Sequence, residues 1–196
     1  MFYIWIVIFS VVLIIAIDTL ILGIAHILPI ILAVVLSTIA VIVLDIIFAT
    51  LVRWVLPKSW FTRDKKGFVP NKLECKFFDK LFIKKWKDKV LELGFATNFS
   101  KNKIAEPSNN AYIERYIVEA NYGISVHLAC MLCGFLVILI YPSLWLMVGL
   151  PVNLINILLN FMSFAALRYN LPKLHKVYEL NVRRANRNKK DTIIKD

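Results

Sequence analysis

Charge is scarce in this chain. Only 19% of its 196 residues are Asp, Glu, Lys or Arg, against about 25% in a soluble domain. Apolar residues make up 59%, and mean hydropathy is +0.68. With uninterrupted apolar runs beyond about 18 residues, these values exclude an ordinary soluble globular domain and a disordered chain. The length allows one domain of a few spans and excludes a large multi-span transporter. Cysteine is equally sparse. Cys75, Cys130 and Cys133 are odd in number and fall in cytoplasmic or intramembrane positions, so no disulfide framework is expected. Cys130-x-x-Cys133 has the spacing of half a zinc site, but no second pair and no nearby histidine pair complete it, and it reads as two small packing residues. Three histidines in separate regions argue against a metal centre. The chain has no GxSxG elbow, Walker loop, GxGxxG turn or HExxH helix.

The charge that is present is unevenly placed. Lys and Arg number 24 against 13 acidic residues, a net charge of +11. Fifteen of the basic residues lie in 53–115 and the other nine in 168–195, so the apolar runs and their hairpin turns have none. This is the positive-inside pattern of a multi-pass membrane protein with both termini cytoplasmic. Basic segments that flank spans favour anionic membrane lipids or a phosphorylated substrate as partners over nucleic acid.

Four transmembrane helices are expected, at about residues 2–25, 30–52, 119–140 and 144–167. The fold class is all-α. The chain divides into a transmembrane hairpin (1–56), a basic cytoplasmic segment (57–116), a second hairpin (117–167) and a basic tail (168–196) that frays after Arg187. The first span lacks a positive n-region and exceeds the apolar length of a signal peptide, so it is read as retained. Within the cytoplasmic segment, one amphipathic helix is predicted over about 71–92, ended by Gly94. Lys72, Lys76, Lys80 and Lys84 form one stripe; Phe78, Phe82, Trp86 and Val90 form another. Such a helix lies in the headgroup plane with its aromatic side down. Its lysines either attach the protein to the membrane or also hold a phosphorylated substrate.

Ionisable and amide side chains inside spans cost free energy and normally face the bundle interior. They are Asp18, Asp45, His127, Asn153, Asn156 and Asn160. His127 lies eight residues past Glu119, about 12 Å into its span at ~1.5 Å per residue. Asn160 and Asp45 each lie seven residues from a span end, about 10–11 Å deep by the same rise. Asn153, Asn156 and Asn160 share one helix face, either as glue between spans or as the wall of a polar cavity. Asp18 sits nearer the outer face and is read as structural. One histidine among amides and carboxylates suits activation of a hydroxyl for attack on an activated acyl group, the imidazole acting as general base and an asparagine stabilising the oxyanion.

Several stretches now resemble one family. Residues 77–90 run Phe-Phe-Asp-Lys-Leu-Phe-Ile-Lys-Lys-Trp-Lys-Asp-Lys-Val, similar to the aromatic and KWKxK(I/V) stretch of the glycosyl-4,4′-diaponeurosporenoate acyltransferases, small bacterial membrane enzymes of staphyloxanthin-type carotenoid synthesis. Pro57 to Phe61 is similar to that family's upstream proline-aromatic element. Glu119 and His127 match its "E, seven residues, H" spacing, and Asn160 with Arg168-Tyr169-Asn170 and Pro172 matches "N, seven residues, RYNxP". The resemblance covers about residues 57–180. The chain departs from the family pattern at its N-terminus by an extra span, and Asp45 has no counterpart in it.

The resemblance implies transfer of a fatty acyl chain from acyl-CoA or an acyl-carrier thioester to a sugar hydroxyl of a glycosylated lipid, with no bound cofactor and no metal. The catalytic residues expected are His127 as base, Asn160 at the thioester oxygen, Glu119 orienting a basic side chain or the substrate, and Asp45 from depth alone. Lys84, Trp86, Lys87, Arg168, Tyr169, Asn170 and Asn156 are the expected substrate-binding residues. The rival reading is a non-enzymatic membrane scaffold, a lipid-binding protein or partner subunit.

Overall fold

The computed structural model describes residues 2–90 and 104–193. Helices and turns account for the described residues, with no strand among them. Four helical stretches are long and apolar enough to cross a membrane: Tyr3–Leu22, Ile24–Val55, Asn110–Leu139 and Pro142–Asn188. The chain clusters into two compact units. One comprises Met1–Leu56 with Ser125–Phe164, the other Pro57–Ile124 with Ala165–Asp196.

In the first unit, α1 (Phe2–Leu22) ends at Gly23. Gly23 has φ 89°, a conformation that costs a residue with a Cβ but not glycine. A single 3₁₀ turn leads into α2 (Ile27–Val55). The turn falls earlier than expected, and Pro29 sits in the first turn of α2, where its missing N–H is not needed. The second hairpin of spans is less regular than predicted. Helix α5 (Asn110–Cys133) tightens to 3₁₀ geometry over Gly134–Leu139 instead of continuing to 140. After Tyr141 the chain passes through a 3₁₀ turn and a π-helical turn, Trp145–Gly149, before α6 (Leu150–Ile193). Pro151 is thereby placed in the first turn of α6, where it is tolerated.

The core of this unit consists of Ile14, Ile30, Ala33, Val34, Val41, Val137, Val148 and Val152. Long apolar side chains such as Trp5, Phe9, Leu20 and Ile46 point outward. Lipid is as apolar as such side chains, so in a bilayer close packing of small residues replaces hydrophobic exclusion as the force that joins helices. Two glycines carry that packing. A Cβ at Gly149 would stand 3.2 Å from Ile138 Cα, and one at Gly134 would stand 2.3 Å from Asn153 Oδ1.

In the second unit, Phe61 is buried and stacks on Tyr122, with ring centroids 3.8 Å apart. Asn121 donates its amide to the Phe61 carbonyl at 2.9 Å. Asn71 caps α3 (Lys72–Lys80) by accepting the Glu74 N–H at 2.8 Å. The single helix expected over 71–92 is not formed in the described part. Phe82 takes a left-handed φ of 52° and separates α3 from a short turn, α4 (Ile83–Trp86). Residue 92 and Gly94 lie outside the described residues.

The break has a packing cause. Phe78 and Ile83 are both buried, at 1% and 0% exposure. Five positions apart, they would point about 140° from each other on a regular helix at ~100° per residue. Interrupting the helix between them lets both face inward, and the Trp86 indole N–H secures the corner by donating to the Leu81 carbonyl at 2.9 Å. The aromatic stripe is therefore split. Phe78 packs inward, while Phe82 is 65% exposed. The outward side of α3 carries Lys72, Lys76 and Lys80 with Asp79, beside Leu73 and Phe77. Helix α6 also differs from expectation. It passes through Pro172 without ending and continues to Ile193 instead of fraying after Arg187. Leu171 and Leu174, on either side of the proline, are both buried.

Candidate functional site

Three helices of the first unit bring one polar cluster together. Asp45 comes from α2, His127 and Cys130 from α5, and Asn153, Asn156 and Asn160 from α6. The amides of Asn156 and Asn160 meet because they are one turn apart, with Asn160 Nδ2 donating to Asn156 Oδ1 at 2.8 Å. The same Nδ2 reaches Asp45 Oδ2 at 3.0 Å and the Asn156 carbonyl at 3.2 Å. The opposite end of that amide, Oδ1, lies 2.9 Å from His127 Nδ1. Asn156 Nδ2 donates to the Cys130 carbonyl at 3.3 Å and to Asp45 Oδ1 at 3.4 Å. The result is one continuous hydrogen-bonded path from carboxylate through amide to imidazole. Asn156 and Asn160 are buried, whereas Asp45 and His127 are half-buried.

The surroundings explain why these residues are held. Cys130 contributes its carbonyl to the path, and its thiol points at the Asp45 carbonyl at 3.6 Å. Cys133 turns its thiol back on the Cys130 carbonyl at 3.5 Å. Asn153 is fully buried and lies over Gly134; neither of its amide atoms is hydrogen-bonded among the described residues. Asp18 is also buried, with Oδ2 unpaired among those residues.

The other expected site residues belong to the second unit. Arg168 does not present an open guanidinium. Its Nε and Nη2 grip both oxygens of Glu74, the second at 2.7 Å, and Nη1 donates to the Gly67 carbonyl at 3.1 Å. A bidentate fork of this kind is the strong form of an ion pair, and here it staples α3 to α6. Tyr169 turns its ring edge to Phe78, with centroids 6.4 Å apart. The Tyr169 phenol, then the Asp79 carboxylate at 3.5 Å, raise the Lys84 ammonium above the usual lysine value. Lys87 pairs with its neighbour Asp88, and Trp86 is engaged with Leu81. Asn170 is half-buried and Glu119 is buried. Two residues of this unit escaped the sequence reading. Glu74, the partner of Arg168, carries no local signal of that role. Asn121 did carry one, as an amide within an apolar helix.

Four helices long and apolar enough to span a membrane, with buried amides gathered around one imidazole, place the protein in the class of helical membrane proteins. The sequence narrows that class. Residues 57–180 match the family model of glycosyl-4,4′-diaponeurosporenoate acyltransferase, well over half of the chain, and the protein belongs to that family. It is thus an acyltransferase of carotenoid glycolipid synthesis, transferring groups other than amino-acyl groups. No curated protein and no solved structure matches the chain. The matched region contains His127, Asn156 and Asn160; Asp45 lies before it.

Proposed function

We propose that this protein moves a fatty acyl chain from a thioester donor, acyl-CoA or an acyl-carrier thioester, to a sugar hydroxyl of a glycosylated carotenoid, with His127 as the general base. Support comes from the 2.9 Å contact between His127 and the buried Asn160 amide, which holds the imidazole in one orientation inside a polar cluster. The base accepts the hydroxyl proton as the oxygen attacks the thioester carbonyl. The new C–O ester bond forms, the C–S bond breaks, and the proton passes to the departing thiolate. A site within a bundle admits the lipid acceptor sideways and keeps water from the donor.

The protein is proposed to work in the bacterial cell membrane with both termini cytoplasmic, on the strength of the basic segments that flank its spans. Its lysine-lined α3 face is proposed to rest on anionic lipid. Leu73 and Phe77, 76% and 49% exposed, stand beside Lys72, Lys76 and Lys80 and would enter the headgroup layer.

The test is acyl transfer by the purified protein in lipid nanodiscs, with an acyl thioester and a glycosylated carotenoid. General-base catalysis contributes about 10²–10⁴-fold, so His127→Ala is expected to lower kcat by that factor. Equal transfer by His127→Ala and the wild type removes histidine from the mechanism. An inactive wild type that co-purifies with another subunit points to a scaffold.

A further inference from the structure

The hydrogen bonds of the cluster are ordered, and the order assigns the proton on the imidazole. A backbone carbonyl only accepts. Asn156 therefore turns its NH₂ toward the Cys130 carbonyl, 3.3 Å away, which leaves its Oδ1 for Asn160. Asn160 faces three acceptors on one side: that Oδ1 at 2.8 Å, the Asn156 carbonyl at 3.2 Å and Asp45 Oδ2 at 3.0 Å. Only its NH₂ satisfies that side. Its oxygen is left to face His127 Nδ1 at 2.9 Å, and an amide oxygen cannot donate. The ring nitrogen must carry the hydrogen.

From this we infer that Asp45, acting through Asn160, locks His127 as the Nδ1–H tautomer, so that Nε2 carries the lone pair and is the atom that takes the substrate proton. Asp45, Asn160 and Asn156 are then positioning residues. Asn160 has both ends of its amide engaged within the cluster. The inference deepens the acyl-transfer reading and rests on it for what Nε2 does. The bond order itself rests on the cluster alone. The logic parallels that of serine proteases, where a carboxylate holds the catalytic histidine and the wrong tautomer costs about 10⁴ in kcat. Here an amide stands between carboxylate and ring.

The experiment is nitrogen NMR of the full-length protein in nanodiscs, its histidines labelled with ¹⁵N and His127 identified by the signal that His127→Gln removes. The neutral ring of the wild type is expected to show a protonated Nδ1 and an unprotonated Nε2. A protonated Nε2 with a bare Nδ1 overturns the inference, with or without substrate. In Asp45→Asn, Asn160 loses its charged acceptor and keeps only the two Asn156 oxygens to hold its NH₂, so part of the population can turn over. The ring is expected to populate the other tautomer, and kcat to fall about 10- to 10³-fold, short of the full wrong-tautomer cost, with both KM values unchanged. An Asp45→Asn protein with wild-type tautomer and kcat overturns the role of Asp45. A wild type that transfers no acyl group overturns the proton-acceptor role of Nε2, while the ring spectrum still decides the bond order.

Discussion

Gly134→Ala is the smallest change that reaches the polar cluster. The added Cβ would stand 2.3 Å from Asn153 Oδ1 and 2.7 Å from Asn156 Nδ2, inside any allowed contact. Both amides must move. Asn156 is the one that matters for the site, because its displacement strains its bonds to the Cys130 carbonyl, to Asp45 and to Asn160. Overpacking a tight core costs about 1–3 kcal/mol, and each interhelical polar bond lost in a membrane about 0.6–2 kcal/mol. A total of about 2–4 kcal/mol is expected, or roughly 4–16 °C in Tm at about 2–4 °C per kcal/mol. Cys130 and Cys133 are buried, so in a Cys75→Ser background a thiol-reactive dye reports the unfolding.

Two comparisons separate the clash from a general effect of replacing glycine. At Gly67 a Cβ meets nothing within 4 Å, and Gly67→Ala is expected to leave Tm unchanged or slightly raised. Asn153→Ala removes the nearer of the two obstructing groups, so the double variant is expected to recover part of the stability, a positive coupling in a double-mutant cycle. If Gly134→Ala melts and turns over like the wild type, the close packing of Gly134 on α6 is not what holds the amides in place.

Two further outcomes concern the second unit. Glu74→Ala strips the carboxylate from Arg168, whose side chain and that of Glu74 are 14% and 22% exposed. Breaking a fully buried pair costs about 3–5 kcal/mol, and partial exposure reduces this to about 2–3 kcal/mol. Faster hydrogen exchange across α3 checks it; unchanged protection would show that the fork is dispensable. Replacing Lys72, Lys76 and Lys80 with glutamine removes three charges worth about 1 kcal/mol each at an anionic surface. With a Leu73→Trp reporter, its quenching by brominated lipid, taken as the difference from the protein without it, is expected to fall in anionic nanodiscs and to stay low in zwitterionic ones. Equal quenching with and without the lysines would leave the α3 face without its lipid partner.

Helix number and span positions were legible in the sequence because they depend on local quantities: run length, hydropathy and the absence of charge. The same holds for the shared face of Asn153, Asn156 and Asn160, which follows from helical period. The reach of His127, Asn160 and Asp45 to a common depth could be counted from helix rise. What a residue touches is a different quantity, since it depends on elements distant in the chain. Periodicity placed Phe78 and Phe82 on one stripe, yet burial of Phe78 together with Ile83 required the helix to break at Phe82. Arg168 is expected from its motif to bind substrate, and its pairing with Glu74, 94 positions away, is a contact that no local pattern carries. An asparagine has two chemically opposite ends that look alike in sequence. Only the carbonyls and carboxylate gathered around Asn160 decide which end meets the imidazole, because an acceptor must face a donor.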